Sequence, residues 1–285
     1  MKVLNQFSAL CLVAIMFTVF GCSNDADTHD DQQATATVLA DTTATTVSDT
    51  VLFKFDFAVA NIPSPVSLIQ GINKANKAYD KGMLNEPGKA NGLPSEFNKA
   101  VNLGIYNIDM AFAVVNNMGN DVLEYLKASM ILGDGLGLKN TIASIVGKRA
   151  ESNLSNKDSL FTLLDNIYTK SDDYLRTNHR VYVASLIFTG SWVEVLYLTS
   201  KMSDGSNAQA KKDLHQMVWE QRFHLGNIIN LLKDYKGDNE YNMLINDLTE
   251  IHKLIVKIKD PSEMTDAKFK EISEKLTNLR TRLSN

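Results

Sequence analysis

Two carboxylates stand where carboxylates are expensive. Asp109 lies inside "FNKAVNLGIYNIDMAFAVV" and Glu194 inside "VYVASLIFTGSWVEVLYL", and at helical spacing both stretches are apolar nearly all round, so each must be surrounded by other helices or by lipid. Tyr106 and Phe112 lie three residues to either side of Asp109 and share its face. Glu194 stands between Gly190 and Tyr197 in the same way, with Trp192 turned roughly 160° away. A buried carboxylate without a partner costs several kcal/mol, so each acid needs a donor, a cation, a ligand or a wet cavity. Two readings are open. The acids bond hydroxyls and helix ends within a core, or they line a ligand cleft together with Tyr106 and Tyr197. A further option, general acid and base for glycoside hydrolysis, requires carboxyl groups within roughly 5 to 10 Å facing one cleft.

Other chemistries find little to work with. His29 sits in a polar stretch near the N-terminus, and His179, His215, His224 and His252 are dispersed, with no HExxH or paired ExxH arrangement. Glu220 and His224 fall at i and i+4, a spacing that more often makes a surface hydrogen bond than a metal site. There is no GxSxG. "GDGLGLKN" from Gly133 to Asn140 is rich in glycine but lacks the GK[ST] ending of a phosphate loop, and reads as a helix terminator. No catalytic residue, metal ligand or cofactor is therefore assigned. A formal net charge of −4 argues against a nucleic-acid surface.

The elements that position the acids read as helices. Apolar periodicity and turn residues predict spans 65–80, 95–117, 120–133, 138–150, 157–176, 179–202, 208–235, 239–259 and 265–283. Short connections between them imply antiparallel neighbours. The last helices are amphipathic in the ordinary way, with Phe269, Ile272, Leu276, Leu279 and Leu283 recurring at intervals of three and four. Glu194 and the hydroxyls of Ser185, Thr189 and Ser191 speak against a lipid setting for the second apolar helix. Before the helices, "VLFKFDFAVA" alternates Val51, Phe53, Phe55, Phe57 and Val59 with polar positions, which predicts a short extended segment docked on the body. The expected fold is all-α: a single bundle over residues 51–285 of about eight or nine antiparallel helices, two of them central and apolar.

The chain opens with Met1, Lys2 and an apolar run to Phe20, the order of a secretory signal peptide over residues 1–21. Val19, Phe20, Gly21 and Cys22 resemble the lipobox of bacterial lipoproteins, in which the cysteine is acylated before cleavage leaves it as the new N-terminus. The only other cysteine, Cys11, lies in the signal, so the mature chain would carry one thiol and no disulfide within the chain. Each buried methylene contributes about 0.8 kcal/mol, so several acyl chains on one residue make a lasting anchor. Residues 22–50 are nearly all small and polar and read as a tether spanning roughly 30 Å. The cluster Asp25, Asp27, Asp30 and Asp31 resembles the acidic export signal that follows the lipidated cysteine in surface lipoproteins of Bacteroidetes, although simple solvation accounts for it equally well.

With the lipobox, "NIPSP" (61–65), "NLGIYNIDMAF" (102–112) and "FTGSWVEVLYL" (188–198) resemble segments of a family of all-helical Bacteroidetes lipoproteins. The resemblance implies an all-helical body in the cell envelope; with lipid on Cys22, an outer-membrane location facing the periplasm or the cell surface is expected. It brings no activity with it. Relatives favour a second glycine at the position of Ser191, which implies a looser helix contact at Gly190 in this chain. The function expected on this reading is non-enzymatic: binding of a small ligand or an envelope protein. The alternatives are a polysaccharide hydrolase using Asp109 and Glu194, or a structural subunit of an outer-membrane complex.

Overall fold

Helices begin where a side chain can take over the orphan amides of the first turn. Ser95 Oγ accepts from Asn98 N at 3.1 Å, Asn156 from Ser159 N at 3.0 Å, Asn207 from Ala210 N at 2.9 Å and Thr265 from Lys268 N at 3.4 Å. Several helices end on a left-handed residue. Asn117 (φ 61°), Gly137 (φ 74°) and His179 (φ 57°) each precede an amide that reaches back five residues, as Met118 N does to Ala113 O at 2.9 Å. The glycine-rich stretch therefore terminates its helix as expected, but only through Gly137; Gly133 and Gly135 are still helical.

The computed structural model describes residues 48–61, 63–75, 78–147, 156–235 and 239–285, all within one unit spanning 45–285. The signal peptide, Cys22 and all but the end of the tether lie outside the described residues. The helices are α1 (Asp49–Asn61), α2 (Pro65–Asn73), α3 (Glu96–Val115), α4 (Gly119–Gly135), α5 (Lys139–Val146), α6 (Lys157–Thr177), α7 (Val181–Ser203), α8 (Ala208–Glu220), α9 (Arg222–Leu232), α10 (Asn239–Val256) and α11 (Asp266–Leu283), with 3-10 turns at Lys81–Met83, Pro87–Gly92 and Pro261–Glu263. The described residues contain no strand, and the fold is all-α. The predicted span 208–235 is divided at Gln221, whose amide bonds Val218 O three residues back, at 3.2 Å. Its side chain is buried and accepts from Trp192 Nε1 at 3.2 Å.

The expected extended segment is instead the helix α1. The alternation at 51, 53, 55, 57 and 59 contains the pair Val51/Phe55 at i and i+4; with Leu52 and Ala58 these form a helical stripe, and Phe55 and Ala58 are buried. No strand lies among the described residues to receive a ladder, so the backbone bonds within itself. The remaining aromatics turn outward: Phe53 is 69% and Phe57 50% exposed, their rings stacked 6.4 Å apart. Lys54 to Asp234 at 2.7 Å and Arg176 to Asp56 at 2.8 Å tie α1 to the body.

The two apolar helices, α3 and α7, are the centre of the bundle. Residues 100–115 of α3 and 183–200 of α7 are all buried. α7 is long and apolar enough to cross a membrane, yet its apolar stretch is largely buried inside the protein. The two helices cross backbone to backbone at paired glycines: a Cβ on Gly104 would lie 2.0 Å from Ile187 O, and one on Gly190 would lie 2.0 Å from Val101 O. Ser191 does not loosen this contact. Its hydroxyl lies 3.0 Å from Ile187 O and 3.2 Å from Gly104 O, spending its polarity on carbonyls at the crossing. Around this pair, α2 packs on α3, α6 and α7, α4 on α3, α8 and α11 on α7, and α1 on α9 and α7.

Candidate functional site

The segment 83–86 explains what the acids do. It joins the two N-terminal 3-10 turns, and Met83, Leu84 and Asn85 are buried; the first turn takes the amides of Met83 and Leu84, to Asp80 O and Lys81 O, but not the carbonyls of Met83 and Asn85 or the amide of Asn85. Buried amides and carbonyls must find partners, and α3, α4 and α11 supply them. Asn85 N donates to Asp109 Oδ2 at 3.0 Å. Tyr125 donates to Asn85 O at 2.8 Å, Tyr106 to Glu86 O at 2.8 Å, and Arg280 Nη2 reaches Met83 O at 3.4 Å.

The charge beneath this segment is a triad. Arg280, near the end of α11, places Nε 3.0 Å from Glu194 Oε2 and Nη2 3.3 Å from Oε1, a fork-to-fork pairing that an arginine suits better than a lysine. The Glu194 side chain is 0% and the Arg280 side chain 12% exposed. Tyr197 lies against the guanidinium, with Cζ 4.7 Å from its ring centroid. Asp109, 0% exposed, lies within the electrostatic reach of both Glu194 and Arg280. Burial, and then the negative charge of Glu194, push Asp109 well above the usual carboxylate range, against the opposing pull of Arg280. Asp109 is therefore the protonated member, and its Oδ2 accepts from Asn85 N.

Tyr106, Asp109, Glu194 and Tyr197 are thus brought together in one cluster. Each is engaged with the protein itself, and burial raises the pKa of both tyrosines, so their hydroxyls stay protonated. Glycoside hydrolysis needs a carboxyl pair facing one open cleft, and with Asp109 and Glu194 both 0% exposed they present no open face to a sugar. Sequence reasoning missed Arg280, Tyr125 and the segment 83–86. The available signal was Arg280 itself, set between Leu276, Leu279 and Leu283 on the face that packs α11. Among the described residues no group of three His, Cys, Asp or Glu side chains converges as a metal site would require.

An open space lies elsewhere, between α1, α3, α6 and α7. This cleft has a volume of 380 Å³, within the roughly 300–1,000 Å³ typical of ligand sites. Phe55, Leu103, Ile167, Ala184, Ile187 and Phe188 form its apolar walls. Asn107 and Tyr168 also line it, but both are satisfied: Asn107 accepts from Ser129 at 3.0 Å, and Tyr168 bonds Ser191. Ser171 and Asp172 are not. Both line the cleft, and Ser171 Oγ and Asp172 Oδ1 are buried without any hydrogen-bond partner. Comparison of the chain with protein-family models, curated proteins and solved structures finds no significant match.

Proposed function

We propose that this chain is a non-enzymatic envelope lipoprotein of the Bacteroidetes type, held at the outer membrane by acyl chains on Cys22, whose helical body binds a small ligand. The observation that carries the binding role is the apolar cleft between α1, α6 and α7, with unpartnered polar atoms on its wall. The conspicuous acids support the same reading by exclusion, since Asp109 and Glu194 are spent on the protein's own backbone and on Arg280. The anchor rests on the lipobox at 19–22 and the polar stretch that follows it.

Two measurements test this. Membrane fractionation should find the wild-type chain with the membrane and Cys22→Ala in the soluble fraction; a variant that stays with the membrane would remove the lipid anchor from the account. Native mass spectrometry of protein purified from its own cells without detergent stripping should show an adduct of small-molecule mass. Ala184→Trp, which fills the cleft, should abolish that adduct; an adduct unaffected by this change would place the ligand elsewhere.

A further inference from the structure

From the polarity of the cleft we infer that it takes a slender amphiphile: an apolar chain laid between α1, α6 and α7, with a cationic amine head held by Ser171 and Asp172. This deepens the ligand-binding reading and rests on it. The walls offer an apolar chain Phe55, Leu103, Ile187 and Phe188 with little hydrogen bonding. Polar capacity is concentrated on α6. Ser171 is 6% exposed and its hydroxyl, which both donates and accepts, has no partner. Asp172 uses one oxygen on Arg176, at 3.6 Å, and leaves the other buried and bare. An ionised carboxylate accepts only, so the missing partner at Asp172 is a donor.

The charge around the head position has the same sign. Asp165, Asp172 and Asp173 line the cleft with Arg176, and Asp173 adjoins Asp172. Arg176 is already engaged by Asp56 at 2.8 Å, and Asp173 is faced by Lys170 only at 3.9 Å. An anionic head would meet these carboxylates and find no free donor beyond the serine. An ammonium group would satisfy Ser171 Oγ and Asp172 Oδ1 together.

Burial raises the Asp172 pKa to about 6, despite the lowering effect of Arg176; Asp173 on α6 and Asp56 on α1 add to the rise. The cleft-lining residues of α3 and α7 carry no titratable group. An alkylamine keeps its proton to a pH near that of a lysine side chain, about 10. Amine binding should therefore be strong above pH 6 and fade below it, through Asp172 alone.

The test uses n-decylamine, decanol and decanoate below their aggregation concentrations, titrated calorimetrically into the full chain. One decylamine should bind per chain, with decanoate at least tenfold weaker. Asp172→Asn should weaken decylamine about tenfold and leave decanol unchanged, and lowering the pH from 7.5 to 5 should reproduce that loss in the wild type only. Decanoate binding as tightly as the amine, or Asp172→Asn and pH without effect on the amine, would overturn the cationic head while leaving a ligand-binding body intact. No saturable binding of any of the three would overturn the cleft as an amphiphile site, whereas the native mass measurement reads the broader proposal independently.

Discussion

Replacing each member of the buried acid pair by its amide should separate the two by about 2 kcal/mol. With Asp109 protonated, Asp109→Asn mimics the state already present. Its carbonyl can accept from Asn85 N as Oδ2 does, and it stays neutral beside Glu194 as the protonated acid does. The change should cost no more than about 1 kcal/mol at pH 5. The pH dependence then has a definite sign. A carboxyl whose pKa is raised on folding holds a proton that the unfolded chain releases near pH 3.9, so stability falls as pH rises from there to the folded value, by about 1.4 kcal/mol per pH unit. Asp109→Asn removes that loss, and across this window the variant should gain on the wild type as the pH is raised. Glu194→Gln acts in the opposite direction. It leaves a guanidinium with a 12% exposed side chain without its charge partner, a change that typically costs about 3–5 kcal/mol. Asp109 can ionise in compensation, so the expected loss is near 3 kcal/mol. The double variant, which removes both carboxylates, should lose more than the two single changes together. Urea denaturation followed by circular dichroism between pH 5 and 8 measures all of this. If Glu194→Gln were harmless while Asp109→Asn cost 3 kcal/mol or more, the proton would sit on the wrong acid and the reasoning would fail.

The remaining predictions read other parts of the molecule. Gly104→Ala and Gly190→Ala each thrust a Cβ to 2.0 Å from a carbonyl oxygen of the opposing helix; each should cost about 3 kcal/mol or more in the same denaturation assay, because backbone cannot move aside as a side chain can. Tyr125→Phe leaves the buried Asn85 carbonyl without its donor and should cost about 1–3 kcal/mol, with faster amide exchange in residues 83–86. Cys22→Ala should leave the melting temperature of the body unchanged while releasing the chain from membranes, since Cys22 precedes the packed unit by more than twenty residues.

Much of the helical scaffold was legible because its causes are local. Ser95, Asn156, Asn207 and Thr265 announce helix starts by side-chain chemistry that acts within three residues. The apolar sequence around Asp109 and Glu194 announced central helices, and burial alone marked both acids as needing partners. The reading of α1 failed because Val51 to Val59 satisfies two periods at once, and only the presence of helices and the absence of a strand among the described neighbours selects between them. The looser contact expected at Gly190 rested on the resemblance alone; in the fold the Ser191 hydroxyl lies 3.2 Å from the opposing carbonyl of Gly104, a partner that the linear sequence does not show.

The residues by themselves determined that this chain is helical, that α3 and α7 are its innermost elements, and that Asp109 and Glu194 could not stand alone there. They did so because helix propensity, capping and burial patterns act over one or two turns. Tertiary structure decided which partners the acids meet. Arg280 comes to Glu194 from 86 positions away, and Asn85 to Asp109 across 24. Tertiary structure alone also opened the cleft, which draws its lining from four helices. Electrostatic pairing and cavity shape depend on distance in space, and a linear sequence carries that distance only after the chain has packed.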